Sequence, residues 1–184
     1  MAGTSAGRHA EGWEWARIQQ EACPQCGHCA ASVAPVHLGR LALGAADGWR
    51  RFLMTEDPDT LRACPAPGIW SPLEYAAHAR DMLRVFGERI LRTVAEDNPD
   101  LPWFDHDRAA AAGRYNELEP AALADDLVAE ARAFAAVVDE RAPDDWDRTA
   151  IRDGTDRFTV AGLARFALHE VHHHLFDANG ALRR

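Results

Sequence analysis

Apolar residues recur at i, i+3 and i+4 in four separate stretches of the chain. Leu38, Leu41, Ala42, Ala45, Trp49 and Phe52 share one side of a segment running from about Pro35 to Met54. Leu73, Ala77, Leu83, Phe86 and Ile90 do the same between Ser71 and Ala95. Leu123, Leu127, Ala131, Phe134 and Val138 repeat the pattern from Pro120 to Arg141. A period of about 3.6 residues marks an amphipathic helix with one buried face. The fourth stretch runs from Thr159 to Asn179-Gly180 and is apolar on more than one side, at Phe166, Ala167, Leu168, Val171, Leu175 and Phe176. A helix of that kind is largely buried.

Local chemistry sets the ends of these helices. Ser71-Pro72-Leu73-Glu74 reads as a capping box, with Pro at the first helical position. Thr159 is an N-cap, and Asn179-Gly180 is a C-cap pair. Residues 96–117 form a polar link containing Trp103-Phe104-Asp105. Asp153-Gly154 predicts a small hairpin within residues 151–158. Four long helices with no strong strand signal predict an all-α four-helix bundle. The bundle is expected over residues 34–184, with residues 1–33 as an extension carrying a cysteine-rich turn. Trp13 and Trp15 are the residues of the tail expected to dock on the body.

Composition narrows the class of function. Of 184 residues 47% are hydrophobic and 27% charged, which suits a globular domain able to bury its own core. Lys plus Arg is 20 and Asp plus Glu is 29, a net charge of −9. Such a surface repels phosphate backbones and anionic lipid, so neither nucleic acid nor membrane is an expected partner. Met1–Gly12 contains no apolar run, so a cytoplasmic and reducing setting is expected, with thiols or metal ligands in place of disulfides.

Cys23-Pro24-Gln25-Cys26-Gly27-His28-Cys29 has zinc-knuckle spacing. Cys23, Cys26, Cys29 and His28 are therefore candidate ligands of a structural zinc, with His37 or Cys64 as other sources of a fourth ligand. Three unligated thiols in a loop, or a redox dithiol, are the rival readings. The cysteine turn is expected to stand apart from the active site.

The last helix carries His169-Glu170-Val171-His172-His173-His174. His169 and His173 lie one above the other on one face and can point at one ion, and His169 with His172 is a second such pair. Three His on one helix cannot all face one ion, because each residue steps about 100° around the axis. His78, at an inward position among small apolar residues of the second helix, is available as a third ligand. The set His78, His169 and His173 would leave a coordination position open, as catalytic metal sites do. Glu170 and Asp177 are candidate carboxylates for orienting these imidazoles, and Asp81 reads as a solvated helix charge. Arg80, Arg84 and Arg165 are candidates for holding a carboxylate of cofactor or substrate.

Trp70-Ser71-Pro72-Leu73-Glu74-Tyr75-Ala76-Ala77-His78, followed by His169-x-x-x-His173 and Asp177, resembles the DinB-like superfamily. That group includes mycothiol-dependent maleylpyruvate isomerases and bacillithiol and mycothiol S-transferases. The likeness runs from about Pro35 to Gly180. Cys23-Pro24-Gln25-Cys26-Gly27, Trp103-Phe104-Asp105, Tyr115 and the segment 153–160 resemble an actinobacterial branch. The resemblance implies a four-helix bundle that binds a divalent metal (Zn, Ni, Fe or Mn) through three residues, by position His78, His169 and His173. It implies further that the metal activates a low-molecular-weight thiol, mycothiol in an actinobacterial setting, for S-transfer to, or isomerisation of, a small electrophile. A hydrolase or cyclase using metal-bound water without a thiol, and a non-catalytic metal-binding stress protein, are the alternatives. The expected partners are a small-molecule substrate and the thiol, with a homodimer left open.

Overall fold

The structure, a computed structural model, describes residues 15–182. Trp13 lies outside the described residues. In chain order the elements are α1 (Leu38–Thr55), α2 (Pro58–Arg62), α3 (Pro72–Ala95), β1 (Asp100–Leu101), α4 (His106–Ala112), α5 (Pro120–Asp139), β2 (Thr149–Arg152), β3 (Asp156–Thr159) and α6 (Val160–Ala181). The four long helices match the four periodic stretches within a few residues. The first starts later than the pattern predicts, because Pro35–His37 forms a separate 3-10 turn. The last runs through Asn179-Gly180 to Ala181.

The signals at the helix starts act as their chemistry requires. Ser71 Oγ accepts a hydrogen bond from the Glu74 backbone N–H at 3.2 Å, and Glu74 Oε2 accepts one from the Ser71 N–H at 2.8 Å. Ser71 Oγ also donates to Asn116 Oδ1 at 2.7 Å, which ties the start of α3 to the later chain. Ser71→Ala removes both roles. It is expected to cost about 1 kcal/mol, read as a fall of about 2–4 °C in Tm. Thr159 Oγ1 accepts from the Gly162 N–H at 2.9 Å and starts α6.

The bundle is a ring. α1 packs against α5 and α6, and α3 packs against the same two helices from the other side. Trp49, Phe86, Leu127, Phe134 and Leu168 fill the middle, each at most 1% exposed. The three-stranded sheet, in order β1-β2-β3, is a finding beyond the predicted hairpin. β2 and β3 pair antiparallel, Thr149 opposite Thr159 and Arg152 opposite Asp156. Asp153 and Gly154 turn the chain between them, both at positive φ, a conformation Gly adopts freely and Asp tolerates. β1 comes from the polar link and adds parallel to β2, Asp100 opposite Ile151. Two residues are too few to leave an alternating pattern, which is why the sequence hides this strand.

The segment before α1 packs on α6. A 3-10 turn, Trp15–Gln19, buries Ile18 fully, and a second, Ala30–Ser32, buries Ala30. Both Nε and Nη2 of Arg165 donate to the Val33 carbonyl, at 3.2 and 3.1 Å. Arg165, a candidate for substrate recognition in the sequence, is thus engaged in fastening this segment to α6.

Candidate metal centre

α6 presents two pairs of ligating residues at i, i+4 spacing, offset by one residue. His169 and His173 form one pair, and Glu170 and His174 the other. One residue is about 100° of rotation, so the two pairs face different neighbours. Glu170 and His174 face α3, where His78 meets them. His169 and His173 face the N-terminal turn, where Cys23 and Cys26 meet them. Among the described residues, His78, Glu170 and His174 form one group whose ligating atoms lie within 4.8 Å of one another, and Cys23, Cys26, His169 and His173 form another. His173, His174 and Asp177 make a third, overlapping set.

The structure therefore brings His169 and His173 together, as the spacing predicts, and places His78 with Glu170 and His174. The cysteine turn, expected to stand apart, lies against His169 and His173. Cys23 and Cys26 join that group, whereas His28 stacks on His172 at 4.5 Å between ring centres. Cys29 belongs to none of the groups, and exposed Cys64 sits 3.7 Å from Glu74 Oε2. The one available signal for His174 was its i, i+4 relation to Glu170. It is hidden in sequence by the more familiar His-x-x-x-His beside it.

In the first group, His78 Nε2 is 3.5 Å and His174 Nε2 3.4 Å from the same Glu170 oxygen, Oε2. These separations are long for hydrogen bonds. They equal the edge of a tetrahedron: ligands about 2.0–2.1 Å from a shared ion stand about 3.4 Å apart. All three residues are at most 8% exposed, and His78 Nδ1 is buried with no hydrogen-bond partner. His174 Nδ1 meets Asp177 Oδ2 at 3.1 Å. A carboxylate accepts there, so in the neutral imidazole the proton resides on Nδ1 and the Nε2 lone pair faces the group. Asp177 Oδ2 is also 3.3 Å from His173 Nε2, and so touches both ligand pairs.

Electrostatics keep the group ready for a cation. Burial would raise the carboxyl of Glu170, but the imidazoles of His169, His174 and His78 around it hold it well below the usual range. Burial pushes the His78 imidazole down, towards the neutral form that ligates. Burial acts the same way on His174, yet its hydrogen bond to Asp177 and the nearby Glu170 carboxylate raise it to about 9. In the metal-free chain this ion pair stabilises the fold fully below the unfolded His value of about 6.5 and is lost as pH rises through about 9. A metal must displace the same proton. Apparent affinity at this group is expected to rise about tenfold per pH unit up to about pH 9 and then level off, as read by chelator competition.

Several neighbours escaped the sequence reading. His106, at the start of α4, stands edge-on to His78 at 4.8 Å. The Trp70 ring lies 5.1 Å from His78, and Tyr75 stacks on His174 at 5.4 Å. Asp81 is buried, not solvated: Tyr115 donates its hydroxyl proton to Oδ2, and Arg80 Nε donates to Oδ1 at 2.9 Å. That contact with Asp81 raises the Tyr115 phenol, on top of burial. Arg80 and Arg84 line a cavity of about 440 Å³ with Tyr115 and Glu130. Arg84 also pairs with Glu88 at 3.2 Å. Arg80 and Arg84, two of the three arginines considered for substrate recognition, are thus already paired with carboxylates of the chain.

Among the described residues, the helical bundle buries groups of His, Cys and carboxylate side chains that could hold a divalent cation. The pattern defining the DinB superfamily matches residues 44–176, and the chain belongs to that superfamily. The fold is similar to that of YfiT from Bacillus subtilis, described as a probable metal-dependent hydrolase with an unusual four-helix bundle topology. That likeness has a TM-score of 0.74 at 14% identity, over 83% of this chain and 90% of the other. No curated protein matches the sequence. No helix among the described residues is long and apolar enough to cross a membrane.

Proposed function

We propose that this chain is a metal-dependent hydrolase in which His78, Glu170 and His174 hold a divalent cation and leave a position open for water and substrate. The observation that carries the reading is the convergence of His78 Nε2 and His174 Nε2 on one buried oxygen of Glu170, at separations that suit a shared ion. Two imidazoles and one carboxylate make up a ligand set used for hydrolytic zinc, and Ni, Fe or Mn suit the same donors. A cation there supplies a Lewis acid that brings the pKa of a water or thiol towards neutrality.

The chain's own residues do the rest. Asp177 holds His174 in the tautomer that faces the group. Trp70 and Tyr75, each at most 7% exposed, keep bulk water from the ligands. The His106 ring stands edge-on to both His78, at 4.8 Å, and the exposed Trp103, at 5.4 Å, and is a candidate to exchange protons beside the ligands. Trp103 and Phe104 stand edge-on to His106, at 5.4 and 5.3 Å, and offer apolar surface beside it.

The family resemblance supports a second use of the open position, binding of a thiol such as mycothiol for S-transfer or isomerisation. One experiment separates the readings. Metal-loaded and chelated protein is assayed on small esters and amides, with and without mycothiol or glutathione and a generic electrophile. Metal-dependent hydrolysis without thiol is the expected result. Turnover that requires added thiol would replace hydrolysis by thiol transfer. Bound metal with neither activity would leave a non-catalytic metal-binding protein.

A further inference from the structure

We propose that Cys23, Cys26, His169 and His173 form a second metal site, a closed zinc centre that staples the N-terminal segment onto α6. It is separate from the open group of the preceding section and does not depend on that group being catalytic.

The donor set is the first argument. Two thiols and two imidazoles whose ligating atoms fall within 4.8 Å of one another are a tetrahedral zinc set. Four protein ligands leave no open position, which is the mark of a structural site. Spacing is the second. Cys23 Sγ is 3.6 Å from His173 Nδ1. A sulfur about 2.3 Å and a nitrogen about 2.0–2.1 Å from one tetrahedral ion stand about 3.5 Å apart.

The turn itself is the third argument. The Cys23 N–H donates to the His28 carbonyl at 3.0 Å, and the Gly27 N–H donates to the Cys23 carbonyl at 2.9 Å. Gly27 closes this knuckle at φ +73°, where a side chain would be strained. The result is that both thiols point at one spot on α6. Cys23, His169 and His173 are at most 2% exposed, so polar groups that burial would otherwise penalise are gathered at one place.

The surroundings complete the set. The far nitrogen of His173, Nε2, faces Asp177 Oδ2 at 3.3 Å, and Glu170 Oε1 lies 3.4 Å from His169 Nδ1. Metal-bound His residues are commonly oriented by carboxylates in this way. The bundle has core enough to fold unaided, but among the described residues before α1 the only buried hydrophobics besides Cys23 are Ile18 and Ala30. A metal clip supplies what so few apolar contacts do not. Glu170 touches both groups, through Oε1 to His169 and through Oε2 to His78 and His174.

The test is metal stoichiometry combined with cobalt spectroscopy. The purified chain is expected to hold two equivalents of metal. The double variant Cys23→Ser/Cys26→Ser should lose one, and His78→Ala should lose the other. Cobalt-substituted protein, with no thiol added, should show a sulfur-to-cobalt charge-transfer band, since thiolate is a soft and strongly donating ligand. The band should persist in His78→Ala and vanish in the double serine variant. His173→Cys keeps four ligands and should strengthen the band, so the proposal stays testable if the serine variant does not fold. Three outcomes overturn it: unchanged metal content in the serine variant, no band in the wild-type chain, or a Cys23–Cys26 disulfide by mass in metal-free native protein. One equivalent removed by the serine variant and untouched by His78→Ala would uphold this site and sink the open one.

Discussion

Replacing His78 by Ala is expected to empty the open group and abolish metal-dependent turnover. Orienting carboxylates alone are worth about 10–100-fold in metal affinity, so loss of a direct ligand should cost more than about 100-fold. The change also leaves Glu170, buried and held ionised partly by His78, with one partner fewer. Elemental analysis of the variant, alongside its activity, reads the effect. His174→Ala should behave like His78→Ala. The family resemblance gives neither His172 nor His174 a ligand position, and on that basis both His172→Ala and His174→Ala would matter much less. For His172, half-buried and stacked on His28 outside every ligand group, that expectation stands. Full metal occupancy in both the His78 and His174 variants would show that the open group holds no cation.

The largest effect on stability is expected from Trp49→Ala. Trp49 is fully buried, stands edge-on to Phe52 at 5.8 Å, and donates its indole N–H to the Val171 carbonyl at 3.0 Å. It thus pins α1 to α6 at the turn that carries both ligand pairs. Truncation leaves a cavity in the core and an unsatisfied carbonyl, a loss of about 3–5 kcal/mol. For a chain of this length that is a fall of about 6–20 °C in Tm. Because Val171 sits between Glu170 and His173, metal affinity should fall with it. Trp49→Phe keeps most of the packing and loses the hydrogen bond. It should recover most of the Tm and only part of the affinity. Equal Tm for the wild type and Trp49→Ala would remove Trp49 from the account of how α6 is held.

The four helices were legible because the forces that make them are local or periodic. The Ser71 capping box, the Thr159 cap and the 3.6-residue repeats act within a few residues, and each of these helix starts lies where the sequence puts it. The sheet was half legible: Asp153-Gly154 announces a turn, but β1 has two residues and exists only because β2 is there to pair with it. Asp81 looked solvated because its partner Tyr115 is 34 positions away.

The residue types of the metal chemistry were likewise in the sequence: Cys-x-x-Cys, a run of His on one helix, and a lone inward His78. Their helical spacing determined that no single ion could take them all. Which side chains gather into one group was left to the tertiary structure. The choice between His169–His173 and Glu170–His174 as partners of His78 depends on how α6 is rotated about its axis against α3. One residue of offset is about 100°, and packing of the whole bundle sets that angle. The joining of Cys23 and Cys26 to His169 and His173 spans about 150 positions. It arises only where the N-terminal segment lies along α6, held by Ile18, Ala30 and Arg165. Sequence periodicity carries no information about contacts at that range.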